Sequence, residues 1–170
     1  MKNSMTLYST VLPLWFLLLS PSTWIVLALT QLIIVSFVLY AGLKYIDYLD
    51  PPAIWRKSIL WNTLYGFISY LLICLLFLLT NLIPDHNAFG KWVITNLAHP
   101  LNVNPFTNVF SLLYVVLCLL ICGALVYYAN KMLSFRNTPL TKEQKHKVSL
   151  CLAIFSAPYI ALVPSIFLYQ

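Results

Sequence analysis

Charge is what this chain has least of. Only 8% of its 170 residues are charged, and four of those are acidic, against roughly a quarter charged in an ordinary soluble domain. Such a surface could not be solvated, so a water-soluble globule is excluded. Disorder is excluded as well, because it needs low hydrophobicity and high charge, whereas 61% of this chain is hydrophobic. Glycine is also scarce, with 4 residues, and no tract is repetitive, so neither a low-complexity segment nor a Gly-rich phosphate loop is present. The 4 cysteines form no C-x-x-C pair, which argues against thiol–disulfide exchange. A polytopic membrane protein remains.

Long apolar runs are abundant. A bilayer core about 30 Å thick needs roughly 20 mostly apolar residues in helical form. Four runs meet that need, at 22–45, 58–83, 108–130 and 147–168, each bounded by charge, Pro or Asn. They are too long for barrel strands and lack a strand's alternation, so helices are expected. A shorter apolar run, 5–20, carries Pro13 near its middle. It reads as a short fifth span or as an interfacial helix. A signal peptide is a third reading, although no A-x-A-like cleavage site follows. The expected architecture is an all-α transmembrane bundle in one membrane-embedded domain: four long spans, plus the N-terminal apolar helix as an expected fifth.

Basic residues cluster in loops 46–57 and 131–146 or at their edges, and Lys91 alone lies in the long connection 85–107. The positive-inside rule then places both basic loops in the cytoplasm and the C-terminus outside. Five spans put Lys2 on the basic side too. The net charge of +6 is accounted for by this asymmetry and needs no nucleic acid. Arg56, Lys57, Arg136 and Lys142 are candidate contacts for anionic headgroups. No N-x-S/T acceptor occurs, which is compatible with a bacterial cytoplasmic membrane.

Local signals refine the picture. Thr141 and Gln144 form a T-x-x-Q capping box, so the last helix should start near Lys142. Pro158 and Pro164 would then lie inside that helix, with a kink expected near residues 156–158. In the long connection, Phe89, Trp92, Val93 and Leu97 follow helical spacing and predict a short interfacial helix. The His99-Pro100 and Asn104-Pro105 steps should end regular structure. Trp55, Trp61, Tyr45, Tyr48, Tyr127 and Tyr128 fit an aromatic belt at the inner surface.

Membrane helices associate through small and weakly polar faces, because lipid tails are as apolar as Leu. Each span carries such a stripe. The first has Ala28, Gln31, Val35, Val38 and Gly42. The second has Asn62, Gly66, Ser69, Ile73, Leu76 and Thr80. The third has Asn108, Ser111, Val115, Cys118 and Cys122. The fourth has Ser149, Ala153, Ser156 and Ile160. Gln31, Asn62, Ser69, Thr80 and Ser111 are the candidate packing or pathway residues, with packing favoured for Gln31.

Chemistry is sparse. No ionisable residue lies at the centre of any run, which argues against a proton relay. Asp47 and Asp50 could in principle hold Mg²⁺ against a lipid phosphate, but capping and solvation of the loop is the better reading. Asp85, His86 and His99 match no helical zinc motif. No G-x-S-x-G elbow is present. The expected function is therefore a non-enzymatic accessory or scaffold subunit, with no catalytic residue, cofactor or metal. Its partners would be the lipid bilayer and either another protein or further copies of itself. The alternative is a small oligomeric transporter or pore. A lipid-modifying enzyme using Asp47, Asp50, Arg56 and Lys57 ranks last.

Overall fold

The computed structural model describes residues 21–165, and the N-terminal run 5–20 and the last five residues lie outside that range. Six α-helices follow in chain order: α1 (Pro21–Tyr45), α2 (Pro51–Asn81), α3 (Ala88–Val93), α4 (His99–Val103), α5 (Val109–Ala129) and α6 (Lys142–Phe155). Among the described residues there is no strand. Three helical stretches are long and apolar enough to cross a membrane: Thr23–Tyr45, Pro51–Asn81 and Val109–Ser134. They mark the chain as a membrane protein.

Helix α1 ends in a turn that uses Asp47. The Tyr48 amide donates to Leu43 O and the Asp47 amide to Lys44 O, both at 3.1 Å. This pairing is a Schellman motif, which needs a left-handed residue at its corner. Asp47 supplies it, with φ of 50°. Asp47→Gly should therefore stabilise the protein by about 1 kcal/mol, since glycine adopts this conformation without strain. Thermal unfolding in detergent checks the sign.

Helix α2 begins seven residues before the expected boundary at 58. Pro51 and Pro52 occupy its first turn, where a missing N–H costs nothing, and the Asp50 carboxylate accepts from the Ala53 amide at 3.3 Å. Loop 46–57 thus shrinks to residues 46–50, and Arg56 and Lys57 become helical. At 31 residues, α2 is about 46 Å long, which exceeds the thickness of a bilayer core.

The connection to α5 is helical through most of its length. Asn87 caps α3, accepting from the Gly90 amide at 2.7 Å. The helix does not stop at His99-Pro100, as the sequence suggested. Instead a π turn, Ile94–Ala98, precedes the proline and absorbs its missing donor, and helix resumes as α4. Asn104-Pro105 does end it. Two amide bridges fasten this segment to the long helices: Asn102 Nδ2 to Asn81 Oδ1 at 2.8 Å, and Asn108 Nδ2 to Asn96 Oδ1 at 3.0 Å.

Helix α6 is shorter than the run 147–168 implied. Thr141 and Gln144 form both halves of the capping box, and the helix starts at Lys142 as expected. It then stops at Phe155 rather than kinking. Its 14 residues reach about 21 Å, short of a 30 Å core. The cause is local. Ser156 Oγ donates to Leu152 O at 2.6 Å, and Pro158 adopts φ −76° and ψ 66°. Those angles, with the Tyr159 amide donating to Ala157 O at 2.8 Å, make an inverse γ-turn. A four-residue 3₁₀ turn, Tyr159–Leu162, follows. Removal of the cap by Thr141→Ala should cost about 1 kcal/mol, visible as a lower unfolding temperature.

The four longer helices pack in a ring, α1 against α2, α2 against α5, α5 against α6, and α6 against α1. Two apolar clusters fill it. One, at the basic end, gathers Leu39, Leu43, Ile54, Val126, Phe135 and Leu152. The other lies toward the Lys91 end and includes Ile73, Phe77, Leu101, Val115, Cys118 and Ala161. There Leu101 of α4 and Ala161 of the 3₁₀ turn join side chains from α2 and α5.

Candidate functional site

The interior is lined by weakly polar side chains. Gln31, Asn62, Ser69, Thr80 and Ser111 are all buried, at 4% exposure or less. Gly66, Val35, Cys118, Cys122, Ser149 and Ser156 from the same stripes are buried beside them, whereas Ala28, Val38, Leu76, Asn108 and Ile160 are only half-buried. Outward positions such as Ile33, Phe37, Leu113 and Leu120 are exposed by 60% or more. The stripes therefore face inward and the large aliphatic and aromatic residues face outward.

The five candidates do not converge on one site. Ser69 and Thr80 turn back on their own helix, donating to Gly66 O at 2.6 Å and Phe77 O at 2.8 Å. Ser111 donates to Pro105 O at 2.7 Å and to Asn108 O at 2.8 Å, which pins the turn ahead of α5. Only Gln31 and Asn62 reach across the bundle with their side chains.

Gln31 meets two neighbours. Its amide lies flat on the α2 backbone at Gly66, where a β-carbon would come within 1.8 Å of Gln31 Nε2. Its Nε2 points to Ser156 O at 3.5 Å, a weak bond to a carbonyl that the end of α6 leaves without a helical partner. A second such carbonyl, Ile154 O, accepts from Tyr159 Oη. The break at Pro158 is thus satisfied by side chains from outside the helix.

Asn62 accepts from Ser134 Oγ. Ser134 stands on a π turn, Asn130–Ser134, which extends α5 and closes with the Phe135 amide donating to Asn130 O at 2.9 Å. The π turn sets Ser134 toward α2 and leaves Asn130 at 0% exposure. Asn62 Nδ2, both amide atoms of Asn130, Ser149 Oγ and Gln31 Oε1 are buried without a hydrogen-bond partner. Sequence reading placed Asn130 at the boundary of the third span and passed over Ser134. The signal was available, because Cys118, Cys122, Val126, Asn130 and Ser134 continue one stripe at intervals of four residues.

Cation placement is strongly one-sided. Lys44, Arg56, Lys57, Lys131, Arg136, Lys142, Lys145 and Lys147 stand at one end of the ring, and Lys91 at the other. Arg56 and Lys57 lie on the exposed early turns of α2, Arg136 follows the π turn, and Lys142 opens α6. Tyr127 anchors this end, with Lys131 Nζ donating to its Oη at 2.8 Å and His146 Nδ1 2.7 Å from it. A hydrogen bond from Lys147, 2.7 Å away, and its charge hold the Glu143 carboxyl below its ordinary pKa. A carboxyl shifted that way stabilises above its ordinary pKa and loses the effect as pH falls through the lowered value. The pair is fully exposed, so its share of stability is small.

Other candidates resolve simply. Asp47 is the corner of the turn after α1 and Asp50 is the cap of α2. Asp85 and His86 are exposed and 3.7 Å apart. Among the described residues no three His, Cys, Asp or Glu side chains are grouped to hold a metal ion. The chain matches no protein-family model, no curated protein and no solved structure.

Proposed function

We propose that this chain is a non-enzymatic accessory or scaffold subunit of a membrane complex, with its basic end in the cytoplasm of a bacterial cell. The observation that carries the reading is how its buried polar groups are used. Gln31 joins α1 to α2 and to the end of α6, Ser134 joins the extension of α5 to α2, and Cys122 Sγ donates to Ser69 O at 3.4 Å. Tyr114 Oη adds a bond to Leu76 O at 2.8 Å. Polar side chains occupied in fastening helices leave the outward apolar faces as the surface available to partners. A broad groove between α5 and α6, lined by Leu120, Ala124, Tyr128, Ile154 and Tyr159, suits a helix from another subunit. The small connections, 46–50 and 135–141, add little extramembrane mass.

Purification in mild detergent followed by mass measurement tests this. A second protein in fixed stoichiometry is the expected result, and bulky substitution at Ala124 should release it. A second reading, a small oligomeric transporter or pore, draws on the unpaired Nδ2 of Asn62 and the unpaired amide of Asn130. A homo-oligomer in which water reaches those residues through the interior of each ring would displace the scaffold reading.

A further inference from the structure

We infer that the groove between α1 and α2 holds one anionic phospholipid of the leaflet at the basic end. This inference is independent of the scaffold reading. The groove encloses about 800 Å³ and is walled by Ile33, Phe37 and Tyr40 on one side and by Trp55, Ile59 and Leu60 on the other. It is almost wholly apolar, and its one internal polar contact is closed on itself, with Trp55 Nε1 donating to Ser36 Oγ at 2.8 Å. That bond fixes the indole as a wall.

Charge stands where a headgroup would sit. On α1, Ile33, Phe37, Tyr40 and Lys44 recur at intervals of four, three and four residues, so Lys44 lies one turn beyond the groove's aromatic mouth. On α2, Pro52, Arg56 and Leu60 recur at intervals of four, so Arg56 lies on the groove's own stripe. Both cations are exposed, and neither forms an ion pair among the described residues. Of the two nearby acids, Asp47 faces α6 and lines a separate polar cavity with Lys147, and Asp50 caps α2. Asp50 keeps its charge, but two cations against one carboxylate leave the groove mouth net positive.

Length supports the same occupant. From Ile33 to Lys44 the helix rises about 16 Å, which is the depth of one leaflet of a ~30 Å core. An acyl chain lying along Ile33, Phe37 and Ile59 would thus place its phosphate level with Lys44, while Arg56, next to the Trp55 that bonds Ser36, stands deeper beside the groove and reaches the phosphate by extending its side chain toward the basic end. Tyr40 and Trp55 stand at the depth that such rings favour.

The test uses the full-length protein in mild detergent, titrated with phosphatidylglycerol or phosphatidylcholine and read by native mass spectrometry. One phosphatidylglycerol per chain, retained in preference to phosphatidylcholine, is expected. The K44Q/R56Q double variant should lose about 25-fold in that preference, as each surface cation near an anionic lipid is worth about fivefold. The K142Q/K145Q variant removes the same charge from the same end and should keep the preference. Leu60→Trp, which fills the groove, should weaken both lipids, with thermal unfolding showing that each variant remains folded. Equal binding of the two lipids, equal effects of the two double variants, or a dimer that occupies the groove and excludes lipid would overturn the inference.

Discussion

Replacing Gly66 by leucine should destabilise the bundle by about 3 kcal/mol, at the upper end for overpacking a filled interior. The reason is the Gln31 amide, which occupies the place where a β-carbon would stand. Gly66→Ala gives the sharper reading, because two effects of opposite sign compete. Alanine gains about 1 kcal/mol over glycine within a helix, but its methyl group must displace Gln31 from Ser156 O, which costs about 1–3 kcal/mol. The net change should be a loss. Gln31 is a long side chain and can yield, so the loss will be smaller than for leucine. With Gln31→Ala already present the obstacle is gone, and Gly66→Ala should then stabilise. A double-mutant cycle, followed by unfolding in detergent, measures this change of sign. Gly66→Ala behaving identically in both backgrounds would mean that Gln31 does not hold α1 against α2.

The second large effect is at Phe135, which is fully buried beneath the turn after α5. It packs in the basic-end cluster with Leu140 and Val148, close to the water interface. Phe135→Ala should cost about 3–5 kcal/mol through lost burial and a cavity. Leu113→Ala should cost close to nothing by comparison. Leu113 is 60% exposed on the outward face of α5, and lipid tails are as apolar as the side chain they would replace. The contrast between the two separates residues that face protein from residues that face lipid. It is read as the difference in unfolding temperature between the variants.

Much of this arrangement was written into residue spacing. Small and weakly polar side chains recur at three and four residues on each long helix, and those stripes face inward, since only close approach and hydrogen bonding distinguish a protein neighbour from lipid. The capping box at Thr141 was equally legible, being a local motif. Composition could not reveal where helices stop inside an apolar run. Residues 147–168 are greasy enough to cross a membrane, but the Ser156–Pro158 turn ends α6, and its stray carbonyls are satisfied by Gln31 and Tyr159, which lie outside the helix. The π turns were hidden for a similar reason. One compensates Pro100 within its own segment, and the other makes a contact with Asn62 that is 72 residues away in sequence. The start of α2 was missed because Pro51-Pro52 looks like a break, yet at a helix N-terminus it is a beginning.

The lipid groove and the scaffold role both require α1, α2 and α5 to traverse the bilayer, which sets Lys91 opposite the basic end. Impermeant thiol labelling in intact membranes tests this directly. The four native cysteines are replaced by alanine, and single cysteines are introduced by Lys91→Cys and Arg136→Cys. One site should react from outside the cell and the other only after the membrane is opened. Equal reaction of both from the same side would contradict the fold as a membrane bundle, and with it the lipid groove and the scaffold reading.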